Sequence, residues 1–132
     1  MENIIHYLDL VAVAIAADIV PLIGENRILT YVGLQVINSN PRLGLHCLLQ
    51  NNNKKEFNVG DLMFYVGPRI NAAGRMDHAS LSLELLLEKD LNKGEKLAFC
   101  LDTKKNSAGR LIDINTLTYV ALHELALSLI HI

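Results

Sequence analysis

The most constraining feature of this chain is an almost continuous apolar stretch near its N-terminus. From Ile4 to Ala17 nearly all side chains are apolar. This pattern is typical of an element that the rest of a protein covers on most sides. Asp18 stands where the stretch ends, and Pro21 and Gly24 punctuate the sequence after it. We therefore predict a buried helix that ends at Asp18.

The same stretch lacks the features of a signal peptide or a membrane span. No basic region precedes the run from Leu10 to Ile23, Asp9 flanks it, and Asp18 and Pro21 lie inside it. A buried helix followed by a loop fits this pattern better than a membrane helix does. We expect no membrane partner.

Composition and charge limit the class of protein. At 132 residues the chain can form one small domain, and 51% apolar residues without tryptophan fit a helical core rather than a disordered chain. The formal net charge of −2 excludes a protein that coats nucleic acid through bulk positive charge. Any DNA contact must therefore be a local basic site. Cys47 and Cys100 belong to no metal or disulfide pattern, which fits a reducing cytoplasm.

Helical patterns continue along the chain and are separated by polar or glycine-containing segments. We predict helices that begin at Asn26 as a capping residue and end near Ile37, and then over Arg42–Gln50, Asn58–Val66, Ser80–Glu88, Glu95–Asp102 and Leu111–Leu125. The polar segment from Asn51 to Lys55 is typical of a surface loop.

The segment Gly67–Arg75, with the sequence GPRINAAGR, has a composition suited to phosphate binding. Its glycines allow close approach of the backbone to a ligand and positive φ angles, and Pro68 restricts one turn. Arg69 and Arg75 carry guanidinium groups that can bind phosphate oxygens in a bidentate manner. We predict a glycine-rich turn that binds phosphate. The alternative is a plain turn into a helix, with two surface arginines.

Two blocks of this sequence resemble the RecJ family of single-stranded-DNA-specific exonucleases, in the DHH phosphoesterase superfamily. Residues 8–22, LDLVAVAIAADIVPL, and GENR at residues 24–27 are similar to the fourth catalytic motif of that superfamily and the turn after it. GPRINAAGR followed by MDHAS resembles the signature segment of the RecJ family. The blocks have the order and the approximate spacing of the family, and the resemblance extends over residues 5–115.

The resemblance implies roles for particular residues. Asp18 matches the fourth-motif aspartate and would be a catalytic metal ligand for a pair of Mn²⁺ or Mg²⁺ ions, which prefer oxygen ligands. The alternative for Asp18 is an ordinary helix end or an exposed surface position, and Asp9 is a weaker candidate that could cap a helix. The residues that would hold the DNA backbone or its terminal phosphate are Arg69, Asn71 and Arg75, with Gly67 and Gly74.

The resemblance also implies that the chain is a fragment of a larger enzyme with an α/β parent fold, and that the fragment itself is predominantly α-helical. Residues 1–37 would form the C-terminal part of the DHH catalytic domain, and residues 38–126 a helical segment with the signature and a connector toward a second domain. The full enzyme would degrade single-stranded DNA from 5′ to 3′ in cytoplasmic recombination and repair.

The fragment is expected to be inactive alone. In this family the other metal ligands come from an Asp-x-Asp motif, a further aspartate and an Asp-His-His motif, all upstream of the matched segment, and none is present here. Asp77-His78 is followed by Ala79 and is not an Asp-His-His motif. Residues 127–132, LSLIHI, match a translated sequencing adapter, and we interpret them as an adapter-derived tail rather than as a genuine helix end.

Two other classes of function stay open at this stage. Another DHH phosphoesterase, acting on oligoribonucleotides or on small phosphorylated substrates, would share the chemistry of Asp18 but should lack GPRINAAGR in this form. A non-enzymatic helical module that binds an anion or a partner would have to fold without any upstream sequence.

Overall fold

The computed structural model describes residues 4–75 and 79–103. For residues 74 and 75 it describes only the backbone. All regular secondary structure in these residues is helical, and none of them lies in a strand. The prediction of a predominantly α-helical segment is confirmed. The predicted helix over 111–125 and the tail at 127–132 lie outside the described residues.

The described residues form seven α-helices, a 3₁₀ turn and a π-helical turn. In chain order these are the 3₁₀ turn Ile4–Tyr7, α1 Leu8–Ala17, α2 Gly24–Ser39, α3 Leu43–Leu49, α4 Val59–Asp61, the π turn Leu62–Val66, α5 Gly67–Arg75, α6 Ala79–Leu87, and α7 over 91–103.

Helix α1 lies at the centre of this arrangement. It contacts α2, α4, α5 and the π turn, and Ala12, Val13 and Ile15 are buried among them. The prediction of an apolar element covered by the rest of the chain is therefore confirmed. A second part of the core consists of leucines with almost no exposed surface, from α3, the π turn, α6 and α7: Leu45, Leu48, Leu49, Leu62, Leu85 and Leu101.

Two glycines allow neighbouring helices to approach closely. A Cβ atom on Gly33 of α2 would lie 2.2 Å from the carbonyl oxygen of Leu8 in α1. A Cβ atom on Gly44 of α3 would lie 2.2 Å from the carbonyl oxygen of Leu85 in α6. Both distances are far below van der Waals contact, so only glycine fits these helix crossings.

The segment Gly67–Arg75 is a helix and not the predicted glycine-rich turn. Helix α4, the π turn and α5 follow one another without interruption, and the Gly67 N–H donates to the Leu62 carbonyl five residues earlier. Pro68 has no N–H and its ring crowds the preceding helical turn, so a locally wider turn lets the helix continue through it. The prediction failed because the tertiary contacts of this segment outweigh its low helix propensity.

The start of α2 also differs from the prediction. The helix begins at Gly24, which has a φ of +52°, and the residue before it, Ile23, is extended and makes no side-chain cap. Asn26 does not cap the helix, because its side-chain amide donates to the Pro21 carbonyl at 3.2 Å. That bond holds the loop between α1 and α2 against the first turn of α2.

The predicted cap at Asn58 is confirmed. Its side chain accepts from the Asp61 backbone at 3.1 Å, and the Asp61 carboxylate accepts from the Asn58 backbone at 2.9 Å, which is a capping box. The loop before it is joined to α2 by Asn38, whose amide exchanges hydrogen bonds of 2.8 and 2.9 Å with the Phe57 backbone. No helix among residues 4–75 and 79–103 has the length and apolarity needed to cross a membrane.

Candidate functional site

Asp18 is the C-terminal capping residue of α1, at the position predicted from the end of the apolar stretch. It is exposed, in contrast to the buried Ala16 and Ala17 just before it. Among the described residues, no hydrogen bond or ion pair engages its carboxylate. The structure therefore presents an accessible carboxylate at the end of the central helix.

A Schellman motif ends α1 at this point. The Ile19 N–H donates to the Ala16 carbonyl at 3.3 Å, and the Val20 N–H donates to the Ile15 carbonyl at 3.1 Å. Ile19 has a φ of +53°, in the left-handed region that β-branched residues rarely adopt. Glycine is the usual residue at this position, so the backbone immediately after Asp18 is strained.

Helix α5 packs directly against the end of α1 beside Asp18. A Cβ atom on Gly67 would lie 3.2 Å from the Ala17 Cα, so the glycine permits this close approach. The Asn71 side-chain amide donates to the Ala17 carbonyl at 3.4 Å. This carbonyl is one of those that a helix end leaves without an intrahelical partner. The structure therefore brings Gly67 and Asn71 to Ala17, the residue before Asp18.

Arg69 has a different environment from the one predicted for a phosphate-binding arginine. Its side chain is buried, with Nη1 donating to the Leu48 carbonyl of α3 and Nε lying 2.5 Å from the Asp102 Oδ1 of α7. The Nε–H does not point at this carboxylate oxygen, so the contact is an ion pair without an aligned hydrogen bond. The phosphate role of Arg69 stays a prediction, and two of its guanidinium nitrogens already face internal partners.

The remaining predicted residues lie at the end of the same helix. Gly74 and Arg75 belong to the last turn of α5, about one helical turn after Asn71. The Arg75 side chain and residues 76–78 of the signature lie outside the described part of the structure. The phosphate roles of Gly74 and Arg75 also stay predictions.

The structural role of Asp9 was not predicted from the sequence. This residue is fully buried near the start of α1 and forms an ion pair with Arg42, with Nε–Oδ2 and Nη2–Oδ1 distances of 2.5 and 2.8 Å. The bidentate geometry joins α1 to the residue before α3. An aspartate inside an apolar run was the available signal, since a buried carboxylate requires a partner. The Asp9 carboxylate is therefore buried and paired with Arg42, and it is not exposed to bind a metal ion.

The described residues do not contain a complete metal site. No group of three or more histidine, cysteine, aspartate or glutamate side chains among them is arranged to hold a metal ion. Asp18 can supply one carboxylate, and a two-ion site needs several ligands.

No protein-family model matches the chain, but individual proteins do. It is 47% identical to the single-stranded-DNA-specific exonuclease RecJ of Haemophilus influenzae over 103 residues, which are 76% of this chain and 18% of that protein. It is 35% identical to RecJ of Bacillus subtilis over 107 residues, 80% of this chain and 14% of that protein. The chain thus spans less than one-fifth of these relatives.

The structure matches as well. The crystal structure of RecJ from Thermus thermophilus in complex with Mg²⁺ aligns with a TM-score of 0.75 and 32% sequence identity, over 83% of this chain and 18% of that one. A crystal structure of the same enzyme in complex with Mn²⁺ aligns with a TM-score of 0.74.

The helical fold therefore matches one segment of a DHH-type phosphoesterase. Within that class the chain belongs to the RecJ family, and it matches one segment of the family's members.

Proposed function

We propose that this chain is the segment of a RecJ-like exonuclease that supplies one metal-binding carboxylate, Asp18, and part of the surface that holds the DNA phosphate. One observation carries the proposal. The two blocks that resemble the RecJ family meet at Ala17, where Gly67 packs and where Asn71 donates its hydrogen bond. The predicted metal ligand and the predicted phosphate-binding helix therefore lie at one corner of the fold.

The environment of Asp18 suits a cation. The residue stands at the C-terminus of α1, where the helix dipole places partial negative charge, so the carboxylate gains no support from its own helix. A bound Mn²⁺ or Mg²⁺ would offset both charges, and the relatives from Thermus thermophilus were crystallised with these ions. Such an ion supplies Lewis-acid chemistry, which polarises a phosphodiester and activates water. The contribution of this chain is a carboxylate held at a fixed helix end.

The phosphate side of the site is formed by α5. Asn71 presents an amide next to the end of α1, and Gly67 keeps the helix close to that end. Gly74 and Arg75 lie one turn further along α5. We propose that these residues hold the DNA backbone or its terminal phosphate and so position the scissile bond. Arg69 already directs two of its three guanidinium nitrogens at partners inside the fold.

The proposed substrate of the full enzyme is single-stranded DNA, degraded from 5′ to 3′ during cytoplasmic recombination and repair. Residues 1–37 would belong to the catalytic domain, and residues 38–126 would carry the signature and lead toward a second domain. Residues 127–132 would be an adapter-derived tail.

A chimeric enzyme tests this proposal. The 103-residue matching segment of the Haemophilus influenzae relative is replaced by the residues of this chain that align with it, and Mn²⁺-dependent hydrolysis of single-stranded DNA is measured. Asp18→Asn should lower the rate by more than about 100-fold, because loss of a direct ligand exceeds the 10–100-fold effect of outer-shell residues. The matched control is Glu56→Gln, which removes an exposed carboxylate from the loop before α4, outside both blocks, and should leave the rate unchanged.

The choice of substrate separates the proposal from its alternative. DNA labelled at the 5′ or the 3′ end reports polarity, and short oligoribonucleotides or small phosphorylated compounds report another DHH activity. A chimera that prefers either of these to single-stranded DNA would contradict the RecJ-like proposal. The isolated 132-residue chain should show no nuclease activity with either metal ion, since it carries one proposed ligand. Metal-dependent cleavage by the isolated chain would show that the ligand count is wrong.

A further inference from the structure

Arg69 connects three helices of the fold. It lies on α5, donates from Nη1 to the Leu48 carbonyl in α3, and places Nε 2.5 Å from the Asp102 Oδ1 in α7. The Arg69 side chain is 10% exposed and the Asp102 side chain 32% exposed. The pair is thus shielded from water on the arginine side, where a charge without a partner would be costly.

Arg69 and Asn71 connect helix α5 to its neighbours on two different sides. Asn71 lies two residues after Arg69 on α5, and residues at that spacing point to different sides of a helix. On one side, Asn71 bonds to the Ala17 carbonyl beside Asp18. On the other side, Arg69 bonds to α3 and pairs with α7. Helix α5 is therefore held from both sides.

We propose that Asp102 is a positioning residue of the exonuclease site. It acts through Arg69, which fixes α5 and with it the place of Asn71 relative to Asp18. This inference rests on the proposed function, because the reaction that the pair positions is the proposed one. It also gives α7 a role, since a movement of that helix would be passed to the site through the Arg69–Asp102 pair.

The positioning role makes different predictions from direct phosphate binding by Arg69. An arginine that binds phosphate should weaken DNA binding when it is lost and should lower the salt dependence of the reaction, by a slope of about 0.7 for one phosphate contact on single-stranded DNA. A positioning arginine should instead lower the turnover rate and leave that slope unchanged. Its effect should also depend on Asp102.

The experiment uses the same chimeric enzyme with Asp102→Asn, Arg69→Gln and the double variant. Each single variant should lower kcat by about tenfold, as outer-shell residues of metal sites do, with a smaller change in KM. The double variant should be no slower than the worse single variant, because the two residues act as one unit. Asp102→Glu retains the carboxylate and should recover most of the activity.

The control is Glu95→Gln, which removes an exposed carboxylate from α7 without touching Arg69. Circular dichroism melting curves show whether each variant is folded, and Asp102→Glu provides a folded variant if Asp102→Asn is unstable. Effects of the two single variants that multiply in the double variant would overturn the inference. So would an Asp102→Asn variant as active as the unmutated chimera, or a reduced salt slope for Arg69→Gln. An inactive unmutated chimera would instead refute the proposed function, and the positioning role with it.

Discussion

Replacement of Gly33 by alanine tests the packing of α1 against α2. The added Cβ would lie 2.2 Å from the Leu8 carbonyl oxygen and 2.6 Å from the Ala12 Cβ. Ordinary carbon contacts are about 3.5 Å or longer, so the helices must separate by roughly 1 Å. A gap of that size removes up to about half of the dispersion energy of the contacts it opens.

The expected size of the effect follows from two opposing terms. Overpacking of a well-packed interior costs about 1–3 kcal/mol, and the upper end applies here because the closest atom belongs to the backbone of α1. The better helix propensity of alanine returns roughly 1 kcal/mol. We therefore expect Gly33→Ala to lower the free energy of unfolding by about 2 kcal/mol.

Urea unfolding of the 132-residue chain measures this change, with the loss of helix monitored by circular dichroism at about 222 nm. Two controls separate the causes. Gln35→Ala, at an exposed position of α2, should change stability by less than about 0.5 kcal/mol. Gly24→Ala meets no atom within 4 Å but has a φ of +52°, so it should cost about 1 kcal/mol through backbone strain alone. A Gly33→Ala variant as stable as the unmutated chain would refute the packing argument.

Three further predictions concern the interior. Asp9→Asn leaves the Arg42 guanidinium without a charged partner and should lower the free energy of unfolding by about 3 kcal/mol, measured by urea titration. Asn38→Ala removes the two hydrogen bonds to the facing loop and should cost about 2 kcal/mol in the same assay. In thiol labelling followed by mass spectrometry, the exposed Cys100 should react in the folded chain and the buried Cys47 only after unfolding. Burial raises the pKa of the Cys47 thiol above its ordinary value of 9.0. The protonated thiol therefore contributes to the stability of the folded chain below pH 9, and this contribution is lost as the pH rises through the pKa of the folded state.

Each of these predictions has a control. For the two stability variants, Gln35→Ala again measures the effect of an ordinary surface change. The labelling experiment is controlled by Cys100→Ser, in which the folded chain should take up no label. An Asp9→Asn variant of unchanged stability would show that the Arg42 pair does not support the fold, and fast labelling of Cys47 in folded protein would show that α3 is not packed as described.

Much of the local structure could be predicted from the sequence, because it depends on residues that are neighbours along the chain. The capping box of Asn58 and Asp61 joins residues three positions apart. The end of α1 at Asp18 follows from the change from apolar to polar sequence. The resemblance of two blocks to a known family then indicated which class of enzyme the segment comes from.

Only the tertiary structure decided the surroundings of these elements. Asp9 and Arg42 are 33 positions apart, and Asn71 bonds to a carbonyl 54 positions before it. Local propensity predicted a turn at Gly67–Arg75, yet packing against α1 makes it a helix, with a π turn that accommodates its proline. Sequence periodicity places a residue on its own element, but it does not specify which element covers it. An arginine that looks free in the sequence can therefore be buried by helices folded from distant parts of the chain, because burial of apolar surface, which is not directional, selects how those helices pack.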